Sequence, residues 1–431
     1  MKKICLTVVG MYFLFFHGFA QNPEKDSTYK SRKLKIDEIN IVSSYYNQTA
    51  DKSSVMGGRT DSKGNGDVTD LANGVDIKFV GWDGKQRKNS LTAGLGIDYH
   101  TAASQAFVDS NGRARNNGTR IYPTLDWTIE NEQKGTEFGI GAYYSAEHNY
   151  YHSIGLNTSY SKKNHNNGEF SFKLTGYFDN IVMIRPSEFI PVDSIKNVPA
   201  SDSIVYITTA SGRTEALSYS NGQLITKGKK PSIPTSARDT YTASFGFSQV
   251  INPRLQASID LDLVYQTGYL GLPFHRVYLN TGKDTLENLP SQRFKLPVGF
   301  RLNYFLGDNV ILRSYYRFYV DSWGLVSHTA SLEVPIKITP FISISPFYRY
   351  YIQSAANYFA PYKVHTEQDQ YLTSNYALAA FSSQFFGMGF RIAPPKGILM
   401  KSLSALELRY GHYTQSVDLV SDIISLNLKF K

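Results

Sequence analysis

The sequence predicts an all-β chain folded as a single transmembrane antiparallel up-and-down β-barrel of about sixteen strands. Three observations carry that expectation. Segments of about ten residues with strict apolar/polar alternation recur to the last residue, the period of a strand with two unlike faces. Aromatic residues make up 14% of the 431 residues, with 31 Tyr and 26 Phe, against only 19% charged residues, a balance that excludes an intrinsically disordered chain. Every second connection is short and turn-like, while most of the intervening ones are long; a membrane barrel sorts its connections in this way and a soluble sandwich does not.

The N-terminus reads as an export signal over 1–20. Lys2 and Lys3 precede an apolar stretch from Ile4 to Phe16, and Gly18-Phe19-Ala20 has the small-x-small form of a cleavage site. Cys5, the single cysteine, lies inside that signal, so no disulfide or thiolate chemistry is expected in the exported chain. Residues 21–36 are polar and read as a disordered periplasmic lead-in, and 37–431 as the barrel. Beyond the signal no run approaches the ~18 apolar residues of a membrane helix, which excludes a helical membrane protein. The formal net charge is +9, with no basic helix or cluster. That balance fits contact with anionic outer-membrane lipid and lipopolysaccharide and not with nucleic acid.

Strands are expected near 37–47, 74–82, 90–99, 121–130, 136–147, 153–162, 169–179, 240–250, 254–266, 293–305, 310–321, 327–338, 342–353, 381–392, 403–413 and 422–430. Leu91, Ala93, Leu95, Ile97 and Tyr99 alternate with Thr92, Gly94, Gly96 and Asp98. Phe294, Leu296, Val298, Phe300, Leu302 and Tyr304 alternate in the same way with Lys295, Gly299, Arg301 and Asn303. Turns such as Asp83-Gly84, Asn252-Pro253 and Thr339-Pro340 are assigned to the periplasm, and the connections 48–73, 100–120, 180–239, 267–292 and 354–380 to the exterior. The ending Ile424, Leu426, Leu428, Phe430 resembles the C-terminal strand read by the barrel assembly machinery, with Lys431 added after the aromatic. Tyr99, Tyr150, Tyr151, Phe178, Tyr241, Tyr265, Tyr304, Phe341, Tyr350 and Tyr351 stand where strands meet loops, the expected place of an interfacial girdle.

Leu272-Pro273-Phe274-His275-Arg276-Val277-Tyr278, Asn288-Leu289-Pro290-Ser291-Gln292-Arg293-Phe294-Lys295, Gly299 to Phe305, Ser43-Ser44-Tyr45-Tyr46 and Tyr315 to Tyr319 together resemble the domain-of-unknown-function family 3570, exported barrels of Gram-negative bacteria. The resemblance covers most of the exported chain and leaves out 180–239. It implies an outer-membrane barrel with no catalytic motif. It also implies the company of a small lipoprotein, a periplasmic flavin-attaching enzyme and thioredoxin-like proteins, and so a role beside extracytosolic redox chemistry.

Function is expected on the lumen face. Alternation places Asp126, Glu130, Asp260 and Asp262 there from earlier strands, and Arg301, Arg313, Arg317, Glu333, Arg349, Arg391, Glu407 and Arg409 from later ones. Two readings use the same residues. In one, charges of both signs set a transverse field across a water-filled channel that passes or binds a small solute. In the other, they form a salt-bridge network that fills a non-conducting scaffold for a lipoprotein or periplasmic partner. Phe274, His275, Arg276 and Arg293 lie in a loop unusually rich in apolar residues, which folds inward as a constriction, docks a partner or packs against a neighbouring loop.

Enzymatic chemistry is not expected. Asp321, His328 and Glu333 form the nearest acid/base group, but alternation puts His328 on the lipid face. His148 and His152 flank a hairpin and not a helix, so their spacing does not make a zinc site. The stretch Asp61 to Asp70 resembles a calcium loop, with Lys63 at its third position and Ala72 where the bidentate Glu belongs, and reads as a glycine-rich surface loop. No cofactor is expected.

Overall fold

A computed structural model describes residues 31–50, 67–101, 117–147, 150–183, 202–208, 214–220, 223–227, 235–273, 275–398 and 401–431. The chain forms sixteen antiparallel barrel strands, each paired with its neighbours in sequence. They are β1 (Arg32–Ala50), β2 (Val68–Trp82), β3 (Lys88–Thr101), β4 (Asn117–Asn131), β5 (Thr136–Glu147), β6 (Tyr151–Lys163), β7 (Gly168–Val182) and β8 (Thr235–Asn252). Then follow β9 (Leu255–Gly268), β10 (Gln292–Leu306), β11 (Val310–Asp321), β12 (Val326–Glu333, resumed at Ile336–Thr339), β13 (Ile342–Gln353), β14 (Phe381–Ile392), β15 (Leu403–Gln415) and β16 (Leu419–Phe430). β16 pairs with β1 from Ile39↔Phe430 to Ala50↔Leu419, which closes the sheet and leaves no free edge.

β1 begins at Arg32, inside the stretch expected to be a disordered lead-in. The pairing extends there because Lys35 and Ile36 still meet Val80 and Phe79 of β2, although the register slips twice. β12 is interrupted at Val334–Pro335, where proline has no N–H to give to the ladder. Hydrogen bonds from Val334 N to Pro346 O (2.9 Å) and from Ile311 N to Pro335 O (3.0 Å) carry both neighbours across the break.

One rim is built from tight turns whose polar side chains replace missing backbone partners. Asp83 accepts from the N–H groups of Lys85 and Arg87, both at 2.9 Å. Asn164 accepts from Asn166 N and Gly168 N, and Asn252 from Arg254 N. The other rim carries the long connections 51–67, 102–116, 183–234, 269–291 and 354–380. Three of its connections are short (148–150, 322–325 and 416–418), and the tight-turn rim has one longer connection (393–402), so sorting by parity holds for most of one rim and only in part for the other. The 183–234 connection contains a three-stranded patch of Asp202–Thr208, Thr214–Ser220 and Gln223–Lys227. The Asp61 end of the calcium-like stretch, His148, Phe274 and the export signal lie outside the described residues.

The outer surface is apolar. Directly paired residues share a face, and one face carries Leu95, Ile121, Ile154, Leu174, Ile259, Phe300, Phe386, Leu408 and Ile424, all exposed. Ile121 and Phe300 are each 47% accessible, far more than side chains of this kind show when they belong to a core. A packed apolar cluster forms at the long-loop rim instead, where Trp323, Leu325, Ala356 and Leu378 are buried with Leu270, Leu289, Tyr319, Tyr358 and Phe359 against them.

Candidate functional site: the charged lumen and its cap

Which face is concave follows from one contact. Arg409 on β15 donates from Nη2 to Glu333 Oε2 on β12 at 3.1 Å, past two intervening strands. Side chains that far apart around the sheet meet only inside the barrel. Following the registers from Glu333 in both directions places Asp126, Glu130, Asp260, Asp262, Arg301, Arg313, Arg317, Arg349, Arg391, Glu407 and Arg409 on that same inner face. His328 and Tyr316, hydrogen-bonded at 2.7 Å, are on the outer face, so Asp321, His328 and Glu333 are not brought together.

The lumen charges are segregated. On β10 to β15, Arg301, Arg313, Arg317, Arg349, Arg391 and Arg409 face inward beside Glu333 and Glu407. Glu333 accepts from Arg313 Nη1 on one oxygen and from Arg409 Nη2 on the other, both at 3.1 Å, and Glu407 accepts from Arg409 Nη1 at 3.2 Å. No carboxylate among the described residues forms an ion pair with Arg301, Arg317, Arg349 or Arg391, and all of these are exposed within the barrel. Arg301 lies 5.1 Å from the centre of the Tyr315 ring, and Arg349 lies 4.8 Å from that of Phe385.

Strands β2 to β9 present mainly carboxylates. Asp126 accepts from Tyr143 Oη at 3.0 Å, and Asn157 Nδ2 donates to that hydroxyl at 2.7 Å. Asp98, 5% accessible, is held by Arg120 and by Tyr122 Oη at 2.7 Å. Gly96 has no side chain for a steric reason: a Cβ there would run into the Tyr122 ring. Glu130, at the short-turn rim, pairs with Lys163 at 3.0 Å and Lys88 at 3.7 Å. Asp260 and Asp262 line a recess with Arg317 from the other wall, where the two signs meet.

Residues 269–291 fold against 354–380 as a cap. Asn288 and Leu372 exchange backbone hydrogen bonds (Asn288 N to Leu372 O, 3.1 Å; Leu372 N to Asn288 O, 2.8 Å), and Asn280 N donates to His365 O at 2.8 Å. Glu287, 4% accessible, accepts from Leu272 N at 2.6 Å and from Thr373 Oγ1 at 2.5 Å. Burial pushes its carboxyl up to about 7. The cap is tied to inward-facing side chains. Gln353 donates to Ala377 O and Ala379 O, and Tyr319 packs against the Trp323 cluster.

His275 and Arg276 do not line a constriction. They are 1% and 9% accessible inside the cap, because the apolar residues interleaved with them drive the loop onto its neighbour. Arg293 sits beneath the cap, bound to Asp321 and 4.2 Å from the centre of the Trp323 ring. Tyr151 and Tyr351 face the lumen and not the girdle: Tyr151 Oη contacts Ser145 Oγ, and Tyr351 Oη donates to Gln353. The sequence reading missed Phe347 and Phe385, aromatic residues on the inner face. The signal was present as large apolar residues at positions that alternation assigns to the polar side.

Among solved structures the chain is similar to a bacterial polysaccharide outer membrane secretin, at 9% identity over 94% of this chain and 99% of that chain, TM-score 0.42. It is similar to OccAB3 of Acinetobacter baumannii, at 9% identity over 93% and 99%, TM-score 0.38. It is also similar to OpdK of Pseudomonas aeruginosa with vanillate, at 7% identity over 91% and 98%, TM-score 0.38. No curated protein matches the chain. The family described as "Protein of unknown function (DUF3570)" matches residues 87–419, and the chain belongs to that family.

Proposed function

We propose that the protein is an outer-membrane barrel whose water-filled lumen passes or binds small solutes. One observation supports this above the others: the arginines of the inner wall keep their exposure inside a closed barrel. Arg313 retains 51% of its side-chain accessibility even while paired with Glu333. A barrel filled by its own salt bridges would bury these groups and neutralise them, because an unpaired charge out of water is costly. The apolar outer face meets lipid, and a charge placed there near the midplane would cost ~2–4 kcal/mol. The basic wall opposite the acidic one sets a transverse field on anything that passes.

The test is single-channel recording of the purified protein in planar bilayers, with reversal potentials taken across a salt gradient. Discrete conductance steps are expected. Silence under conditions in which heat-modifiable migration shows a folded barrel would reject the channel and favour a scaffold that anchors a lipoprotein or periplasmic redox partner.

A further inference from the structure

On the inner wall between β12 and β16 there is a recess of about 230 Å³, lined by Ser331, Phe347, Arg349, Phe385, Ile423 and Ser425 among others. It differs from the rest of the lumen in joining cations to an apolar floor. The Phe347 and Phe385 rings pack at 5.0 Å between centroids, and Tyr413 adds its edge to Phe385 at 6.3 Å. These rings occupy the space above Gly411, where a Cβ would strike Phe385.

The two arginines of the recess play different parts. Arg409 is compensated and fixed: both of its terminal nitrogens are bound by carboxylates, and its guanidinium lies 5.0 Å from the centre of the Phe347 ring. Glu333 is likewise compensated, since each of its oxygens already receives an arginine. Arg349 stacks on Phe385, forms no ion pair among the described residues and is exposed to the recess. Stacking holds its plane and leaves the N–H edge available, and a guanidinium edge matches the two oxygens of a carboxylate.

We infer that this recess binds a small organic carboxylate with a flat apolar body. The carboxylate meets the edge of Arg349, the body lies along Phe347, Phe385 and Ile423, and Ser331 and Ser425 supply hydroxyls at the margin. The inference rests on the solute-passing reading above and names its solute class. Inorganic anions would gain from the arginine but not from the floor, so the site prefers benzoate to phosphate.

The experiment uses benzoate as probe and the full chain in planar bilayers. Benzoate is expected to interrupt the wild-type current in a concentration-dependent way. Removing a charge-assisted pair with Arg349→Gln should raise the half-blocking concentration by about tenfold or more. Lys173→Gln should leave it within about twofold, since Lys173 on β7 pairs with Ser244 of β8, beside the Asp260 and Asp262 recess and remote from this one. Phosphate at equal concentration should block far less. Equal block of wild type and Arg349→Gln overturns the site, and equal block by phosphate overturns the apolar body; conduction itself stands in both cases. If the wild type passes no current, the channel reading fails alone. Calorimetric titration of the detergent-solubilised barrel with benzoate then decides: binding lost in Arg349→Gln sustains the site, and absence of binding to wild type overturns it.

Discussion

Replacing Asp321 by Ala should release the cap while leaving the barrel closed. The Asp321 side chain has no accessible surface, and its two oxygens take all their donors from the region the cap rests on. Oδ2 accepts from Arg293 and from Tyr319 Oη (2.6 Å); Oδ1 accepts from Trp323 N (2.9 Å) and Leu325 N (3.2 Å). Arg293, only 12% accessible at its side chain, would remain charged with no carboxylate beside it. Breaking a buried pair by removing one partner costs ~3–5 kcal/mol, which at about 1.4 kcal/mol per tenfold raises the open population at least about a hundredfold. The loss falls on the cap because Trp323 is the largest side chain of its buried cluster and its indole N–H is fixed to Gln292 O at 3.1 Å. Limited tryptic cleavage at Lys363 measures opening, since protease susceptibility follows the population of the open form when reclosing is fast. Asp321→Asn keeps Oδ1 as acceptor for Trp323 N and Leu325 N but turns an amide NH2 toward the donors of Arg293 and Tyr319, so Arg293 again loses its carboxylate and an increase of the same order as for Asp321→Ala is expected. Heat-modifiable migration should remain that of a closed barrel in both variants. A cleavage rate for Asp321→Ala within about threefold of wild type would refute the reasoning.

Three further outcomes follow from particular contacts. Glu287 titrates near 7 in the folded cap and near the ordinary carboxyl value when exposed, so the folded state holds its proton more tightly. Its stabilising contribution is full below the exposed value and is lost as pH rises toward 7; a gap of about two units corresponds to about 3 kcal/mol. Cleavage of 269–291 should therefore increase between about pH 4.5 and 7 and then level off, and Glu287→Gln should flatten the profile; an equally steep profile in the variant would discount Glu287. Arg317→Glu adds a third carboxylate to the recess of Asp260 and Asp262 and should shift reversal potentials toward cations, whereas an unchanged selectivity would place Arg317 away from the permeation path. Phe430 pairs with Ile39 across the closure and with Leu403 on β15, so Phe430→Asp should lower outer-membrane yield and heat-modifiable migration; normal assembly would deny that strand its part in closure.

The barrel was legible because a strand with lipid on one side and water on the other permits one register. A slip by one residue would send Arg313 and Arg317 into hydrocarbon, so alternation fixed the inner face of β11 without knowledge of its neighbours. The cap was not legible in that way. Its defining contact joins Glu287 to Thr373, 86 residues away, and loop-to-loop packing has no period to read. The apolar content of Leu272, Val277 and Tyr278 signalled that the loop is covered, and Tyr358, Phe359, Tyr362 and Leu372 carried the same signal in the segment that covers it. Neither run told the other's address. The recess was hidden for a different reason. Alternation assigns each arginine a face but not a partner, and Glu333 could have compensated any of several. Arg313 stands directly opposite Glu333 on the adjacent strand, but the choice of Arg409 depends on curvature, which brings β12 and β15 within reach across two strands. Curvature is a property of the closed sheet as a whole, and it leaves Arg349 as the cation over an aromatic floor.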